Sequence, residues 1–246
     1  MKMQLVLAQY KAGLLSLSRN PGYFIGSIVF PALFFLFFVP SSVRDSSGAN
    51  FALGSFMIFA VMGALFFGFA VGIAHDRASA WAVYERTLPA PPLVRLASRV
   101  LNGFTFAACA TIVMALVAHL TTPVHLPPVA WGRLALALLA GAIPISLLGF
   151  AIGYFASSRG AVTLAQLFYL PLSYAGGLWA PPQQLPTLVQ PISLLTPTRR
   201  WGEVVWPAVT GQPWHGQDFA WLAVFALIFG ALALWGYRRD EGQRFS

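Results

Sequence analysis

Charge is what this 246-residue chain has little of: Asp, Glu, Lys and Arg make up 9% of it, against roughly 25% in an average soluble domain. The scarcity is concentrated. Six long apolar runs, at about 22–40, 51–75, 100–120, 133–156, 161–180 and 219–237, carry no such residue deep within them. A charge in hydrocarbon costs several kcal/mol, and roughly 20 apolar residues in a helix suffice to cross a bilayer. The runs therefore read as transmembrane helices, with boundaries uncertain by about 2–4 residues. Hydrophobic residues make up 58% of the chain, and the mean hydropathy is +0.71.

Other absences narrow the function. The single cysteine, Cys109, excludes an internal disulfide and is expected as a buried apolar thiol in the third run. No run holds a carboxylate, and Gln166, Asn102 and scattered Ser and Thr are the polar groups available. That argues against an ion-coupled transporter, which usually keeps ionisable groups near the midplane. H-E-x-x-H, G-x-S-x-G and an intramembrane aspartate pair are missing, so no catalytic residues are expected. His75, His119, His125 and His215 lie too far apart for a metal-ligand spacing, and no metal is expected. Without a G-x-x-x-x-G-K-[ST] phosphate loop, energy for uphill work must come from another chain.

What charge there is reports orientation. The net charge is +8, but the basic residues sit between the apolar runs rather than on a nucleic-acid-binding face, and no nucleic-acid partner is expected. With the N-terminus inside, inner segments hold Lys2, Lys11, Arg19, Arg77, Arg86, Arg95, Arg99, Arg159, Arg238, Arg239 and Arg244, and outer segments hold Arg44, Arg133, Arg199 and Arg200. Cytoplasmic loops are enriched in Lys and Arg, so both termini are expected in the cytoplasm. An even number of spans requires the same.

The first 20 residues lack a compact apolar core and a small-residue cleavage site, which argues against a signal peptide. Leu5, Ala8, Ala12, Leu15 and Leu17 fall near one side of a helix, so this stretch is expected to lie on the inner leaflet, the alternative being an extension of the first membrane helix. Small residues recur at four-residue spacing: Ala64, Gly68 and Gly72 in the second run, Gly149 and Gly153 in the fourth. Such spacing lets helix backbones approach closely in lipid. Pro144 and Pro171 are expected to bend the fourth and fifth runs.

The most specific stretch is His75 to Arg99. Ala78, Trp81, Tyr84, Glu85 and Leu88 recur at helical spacing, and Pro89, Pro91 and Pro92 stop the helix. This predicts a short interfacial helix over about 76–89, anchored by Trp81, with Asp76, Arg77, Glu85 and Arg86 in water. The segment resembles the coupling region of ABC-2 type transporter permeases, whose pattern is roughly D-R-E-x-G-T-x-x-x-L-x-x-x-P. Asp76, Arg77 and Pro89 stand at matching positions, with Leu88 just before that proline and Glu85, Arg86 and Thr87 before the Leu-Pro; Ala78, Ala80 and Trp81 depart from it. Arg19-Asn20-Pro21 resembles the family's R-x-P, and Phe30-Pro31 its F-P. Gly176 to Pro181, Gln184-Leu185-Pro186 and Leu194 to Pro197 resemble its G-x-x-x-P…L-P…x-x-P stretch before the last helix.

The resemblance implies an all-α membrane protein, one transmembrane domain over 1–246. It would have six transmembrane helices, an N-terminal interfacial helix, a cytoplasmic coupling helix and short re-entrant outer helices before the last span. It implies two copies, or one copy with a homologous permease, in the bacterial inner membrane. Two cytoplasmic ATPase subunits would dock at Asp76, Arg77, Trp81, Glu85, Arg86 and Leu88, with ATP and Mg bound by those subunits and no cofactor held by this chain. The pathway would follow the interface between permeases, with Phe34, Phe38, Phe56, Phe59, Phe66 and Phe168 as lining candidates. Export of a hydrophobic or amphiphilic compound, such as a drug, lipid-like metabolite or peptide, is the implied task. The alternative is a membrane scaffold or haem-delivery factor built on a similar bundle.

Overall fold

A computed structural model describes residues 2–19, 21–79 and 92–242. In chain order the helices are α1 (Lys2–Ser18), α2 (Pro21–Phe38), α3 (Ser46–Ala78), α4 (Pro92–Thr121), α5 (Pro128–Phe155), α6 (Ala161–Ala175), α7 (Val189–Ser193), α8 (Pro197–Thr210) and α9 (Gly216–Gly242). Five of them, α2, α3, α4, α5 and α9, are long and apolar enough to cross a membrane. Within α2 the turn Ile25–Val29 is widened to a π-helix. Pro31 explains this, because it brings no N–H and its ring crowds the carbonyl four residues back.

Helix α3 is the central column. Its 33 residues rise about 50 Å at 1.5 Å each, and Leu53, Phe56, Phe59, Phe66, Phe69 and Ile73 along it are almost fully buried. Asp45 caps its start, accepting from the Gly48 N–H. Around α3 pack α2, α4, α5, α6 and α8, while α9 packs on α5 and α8. Lipid tails supply no hydrophobic drive between helices, so close packing must hold them. The α3–α5 seam shows how: a Cβ on Gly153 would stand 2.7 Å from the Ile73 Cβ and 3.0 Å from the Phe69 carbonyl. The Ala64–Gly68 face of α3 receives Tyr23 of α2, whose hydroxyl donates to the Ala64 carbonyl at 2.8 Å. Gly72, by contrast, looks onto open space.

Helix α1 lies along α4, with Tyr10 hydrogen-bonded to Thr105 and Gly13 against Asn102. Its opposite side, including Leu5, Ala8, Ala12 and Leu15, stays exposed, the face available to a leaflet. Leu17 packs against the core instead. Cys109 is exposed on α4, which corrects the expectation of a buried thiol. A helix at the edge of a bundle shows its mid-span residues to lipid.

The fifth apolar run departs from the expected 161–180 span. Helix α6 stops at Ala175 after 15 residues, about 22 Å against a hydrocarbon core of about 30 Å. Gly177 takes the left-handed conformation (φ 77°), and the Leu178 N–H returns to the Ser173 carbonyl, a glycine-terminated helix end. After α7 the chain comes back to this point: the Thr198 hydroxyl, at the start of α8, donates to the Leu172 carbonyl at 2.5 Å. From there α8 runs between α3 and α5, donating from Trp201 Nε1 to the Ala137 carbonyl (3.0 Å) and from Trp206 Nε1 to Ser55 Oγ (2.8 Å). Pro144, Pro171 and Pro207 sit inside α5, α6 and α8 without ending them.

The connections sort into two ends. Asn50, at the start of α3, exchanges hydrogen bonds with the His125 backbone before α5, and Arg133 donates to the Gln212 carbonyl before α9. At the other end Asp76 pairs with Arg99, and Arg77 with Asp240. Segments expected on the same side of the membrane thus meet one another.

Candidate functional site

Three places gather candidate functional side chains. The first is an aromatic wall between α2, α3, α6 and the turn after α6. Phe34 lies 4.5 Å from Phe38, 5.8 Å from Phe59, 6.4 Å from Phe56 and 5.1 Å from Trp179, ring centre to ring centre. Phe59 stacks on Tyr169 at 4.8 Å and meets Trp179 edge-on. Phenylalanines at i and i+4 on α2 and at nearby turns of α3 share one side of their helices, which is why these rings meet. Phe56 and Phe59 are covered, while Phe34 is half-buried and Phe38 exposed. Trp179 Nε1 is buried with no hydrogen-bond partner among the described residues. Phe34, Phe38 and the partly exposed ring of Trp179 thus offer polarisable apolar surface with no charge, suited to an apolar or amphiphilic molecule.

Of the lining candidates, Phe34, Phe38, Phe56 and Phe59 come together. Phe66 is fully buried two turns further along α3, beside Phe67, and Phe168 points outward from α6. Tyr169 and Trp179 join the wall without having been singled out. Trp179 stood inside the Gly176 to Pro181 motif, and an aromatic beside a helix-ending glycine pair was the available signal.

The second place is the end of α3. Asp76, exposed, pairs with Arg99 of α4. Arg77 turns inward: Nε and Nη2 contact Asp240 Oδ1 at 2.8 and 2.7 Å, and Nη1 donates to the Gly153 and Ala156 carbonyls at 3.1 and 3.2 Å. Those carbonyls close the last turn of α5, where backbone acceptors lack helical partners and the dipole is negative. Trp81, Glu85, Arg86 and Leu88 lie outside the described residues. Asp240 escaped the sequence reading because it follows Arg238 and Arg239 and passes for part of a charged tail.

The third is a charged cluster at the far end of the bundle. Glu203 accepts from Arg199 (3.0 Å) and Arg200 (2.8 Å), and those guanidinium groups lie over Trp206 and Trp221. A cleft of about 460 Å³ opens there between α8 and α9, lined by Arg200, Glu203, Trp206, His215 and Asp218 among others. No group of three or more His, Cys, Asp or Glu that would hold a metal ion occurs among the described residues.

A family model described as "ABC-2 type transporter" matches residues 4–208. The chain is also similar to YvfS of Bacillus subtilis (strain 168), which carries the name of a transport permease. The two are 25% identical over 228 residues, covering 91% of this chain and 93% of that protein.

Proposed function

Because the chain belongs to the ABC-2 type transporter family, a family of multi-pass membrane permeases rather than enzymes, we propose that it is the membrane subunit of an ATP-driven exporter for hydrophobic or amphiphilic compounds. Two copies, or this chain and a homologous permease, form the pathway in the bacterial inner membrane with both termini in the cytoplasm. Two cytoplasmic ATPase subunits bind ATP and Mg and dock on the coupling segment over about 76–89, whose first residues, Asp76 to Ala78, are the last turn of α3 rather than part of a separate helix. Asp76 and Arg77 form the root of that docking segment, and Trp81, Glu85, Arg86 and Leu88 its contact face. Helices α6 and α8, joined at Leu172–Thr198, together make the fifth of six crossings, with the segment 176–196 dipping into the outer leaflet.

The observation that carries the cargo class is the uncharged aromatic wall of Phe34, Phe38, Phe59 and Trp179 beside α3. A charged cargo would have to shed its hydration against that surface, whereas an amphiphile gains contact with it. The test is co-purification of a soluble ATPase with the wild-type chain and its loss in Arg86→Glu, with the fold unchanged by circular dichroism. An Arg86→Glu complex that stays intact and turns over normally contradicts the docking assignment.

A further inference from the structure

The inward turn of Arg77 raises a question that the docking segment alone does not answer: how a push on residues 80–91 reaches the bundle. Helix α3 ends at Ala78, immediately before that segment. A single helix pushed at its tip bends or slides. This one is tied at its last turn to two neighbours, because the Arg77 guanidinium spans from Asp240 on α9 to the Gly153 and Ala156 carbonyls on α5.

The site is partly withdrawn from water, with side-chain exposures of 25% for Arg77 and 12% for Asp240. Charge-assisted bonds there are screened less than on an open surface. The planar fork of arginine is what lets one residue serve a carboxylate and two carbonyls at once; lysine presents a single point charge. The helices are already close at this depth. A Cβ on Gly236 of α9 would come within 2.8 Å of Tyr154 Cβ on α5, and Gly153 seats α5 on Ile73 of α3.

We propose that Arg77 is a positioning residue that locks the ends of α3, α5 and α9 into one body, so that a push delivered by a docked ATPase at the end of α3 is transmitted to three helices instead of bending α3. The proposal rests on the permease reading above. Asp76 complements the lock, since its pairing with Arg99 joins the chain entering the segment to the chain leaving it.

The test uses the full chain co-expressed with its ATPase, in a Cys109→Ser background. Spin labels go on His75→Cys and Arg238→Cys, both exposed, on α3 and α9. Their separation is measured by pulsed electron resonance with and without ATP and vanadate. The wild-type pairing is expected to give one narrow distance that nucleotide leaves unchanged. Arg77→Gln is expected to let nucleotide shift and broaden it in complexes that still hold the ATPase. Arg77→Lys should give a smaller shift. If Arg77→Gln does not fold, Asp240→Asn reads the same lock from the other side and is expected to show the shift.

Nucleotide-independent distances in the variants as in the wild type overturn the lock, and so does a wild-type distance that itself moves with nucleotide. Those outcomes leave the permease reading intact. Failure of any ATPase to stay with the wild-type chain overturns the permease reading, and the transmitting role with it.

Discussion

The two halves of the bundle are held by different means. In the half containing Asn50 and Gln212, indole side chains are the fasteners: Trp201 to Ala137, Trp206 to Ser55 and Trp214 to the Val204 carbonyl. Each makes a directional bond from a large rigid ring, and each fixes α8 or the strand of chain after it. In the half containing Arg77, glycine seams bring backbones together and an ionic node ties the helix ends. The contrast suits the transmitting role proposed for Arg77. The ion pairs of the first half, from Glu203 to Arg199 and Arg200, lie within α8, whereas the Arg77–Asp240 pair joins two helices next to the docking segment.

The comparison can be broken first where the indoles are. Trp201 is fully buried and lies against Gly141 of α5, so Trp201→Ala is expected to cost about 3–5 kcal/mol, the range for deleting a buried aromatic. Thermal unfolding in detergent reads it, and an unchanged midpoint would remove α8 from the fasteners. Next comes the glycine seam: Gly153→Leu is expected to cost about 1–3 kcal/mol through overpacking against Ile73 and the Phe69 carbonyl. Gly72→Ala, which meets open space, is the control and should leave the midpoint unchanged or raise it. Equal losses in both would mean that small residues matter for α3 itself, not for the seam.

A smaller effect is expected from Tyr23→Phe. The variant loses the bond to the Ala64 carbonyl, and interhelical hydrogen bonds in membranes average about 0.6 kcal/mol. The smallest change in stability is expected for Trp179→Phe, which keeps a ring in the aromatic wall and removes the unpartnered indole N–H. Its signature is functional: the ranking of amphiphiles that stimulate ATP hydrolysis should shift, because a smaller ring then stands in the wall. An unaltered ranking would take the Trp179 ring out of cargo selection.

Five of the helices long enough to span were legible because their runs exclude charge, which lipid enforces residue by residue. The fifth run was misjudged in length, since Leu178, Trp179 and Ala180 continue the hydropathy after Gly176 and Gly177 have already ended the helix. Helix α8 was foreseen only through the family resemblance, as one of the short outer helices before the last span. Arg199, Arg200 and Glu203 interrupt its hydropathy, and their mutual pairing offsets the cost of packing them in the bundle. Cys109 shows a further blind spot: hydropathy does not tell a bundle interior from a lipid-facing side. Among the site residues, Phe34 and Phe59 meet because local helical spacing brings their faces together. Arg77 and Asp240 stand 163 positions apart, and nothing in the local pattern of either announces the other.

Reconstitution in liposomes, with and without the ATPase that co-purifies, tests the central claim most directly. Accumulation of a fluorescent amphiphile against its gradient is expected when both proteins and ATP are present, and none with this chain alone. Uphill movement by the chain alone would contradict the account.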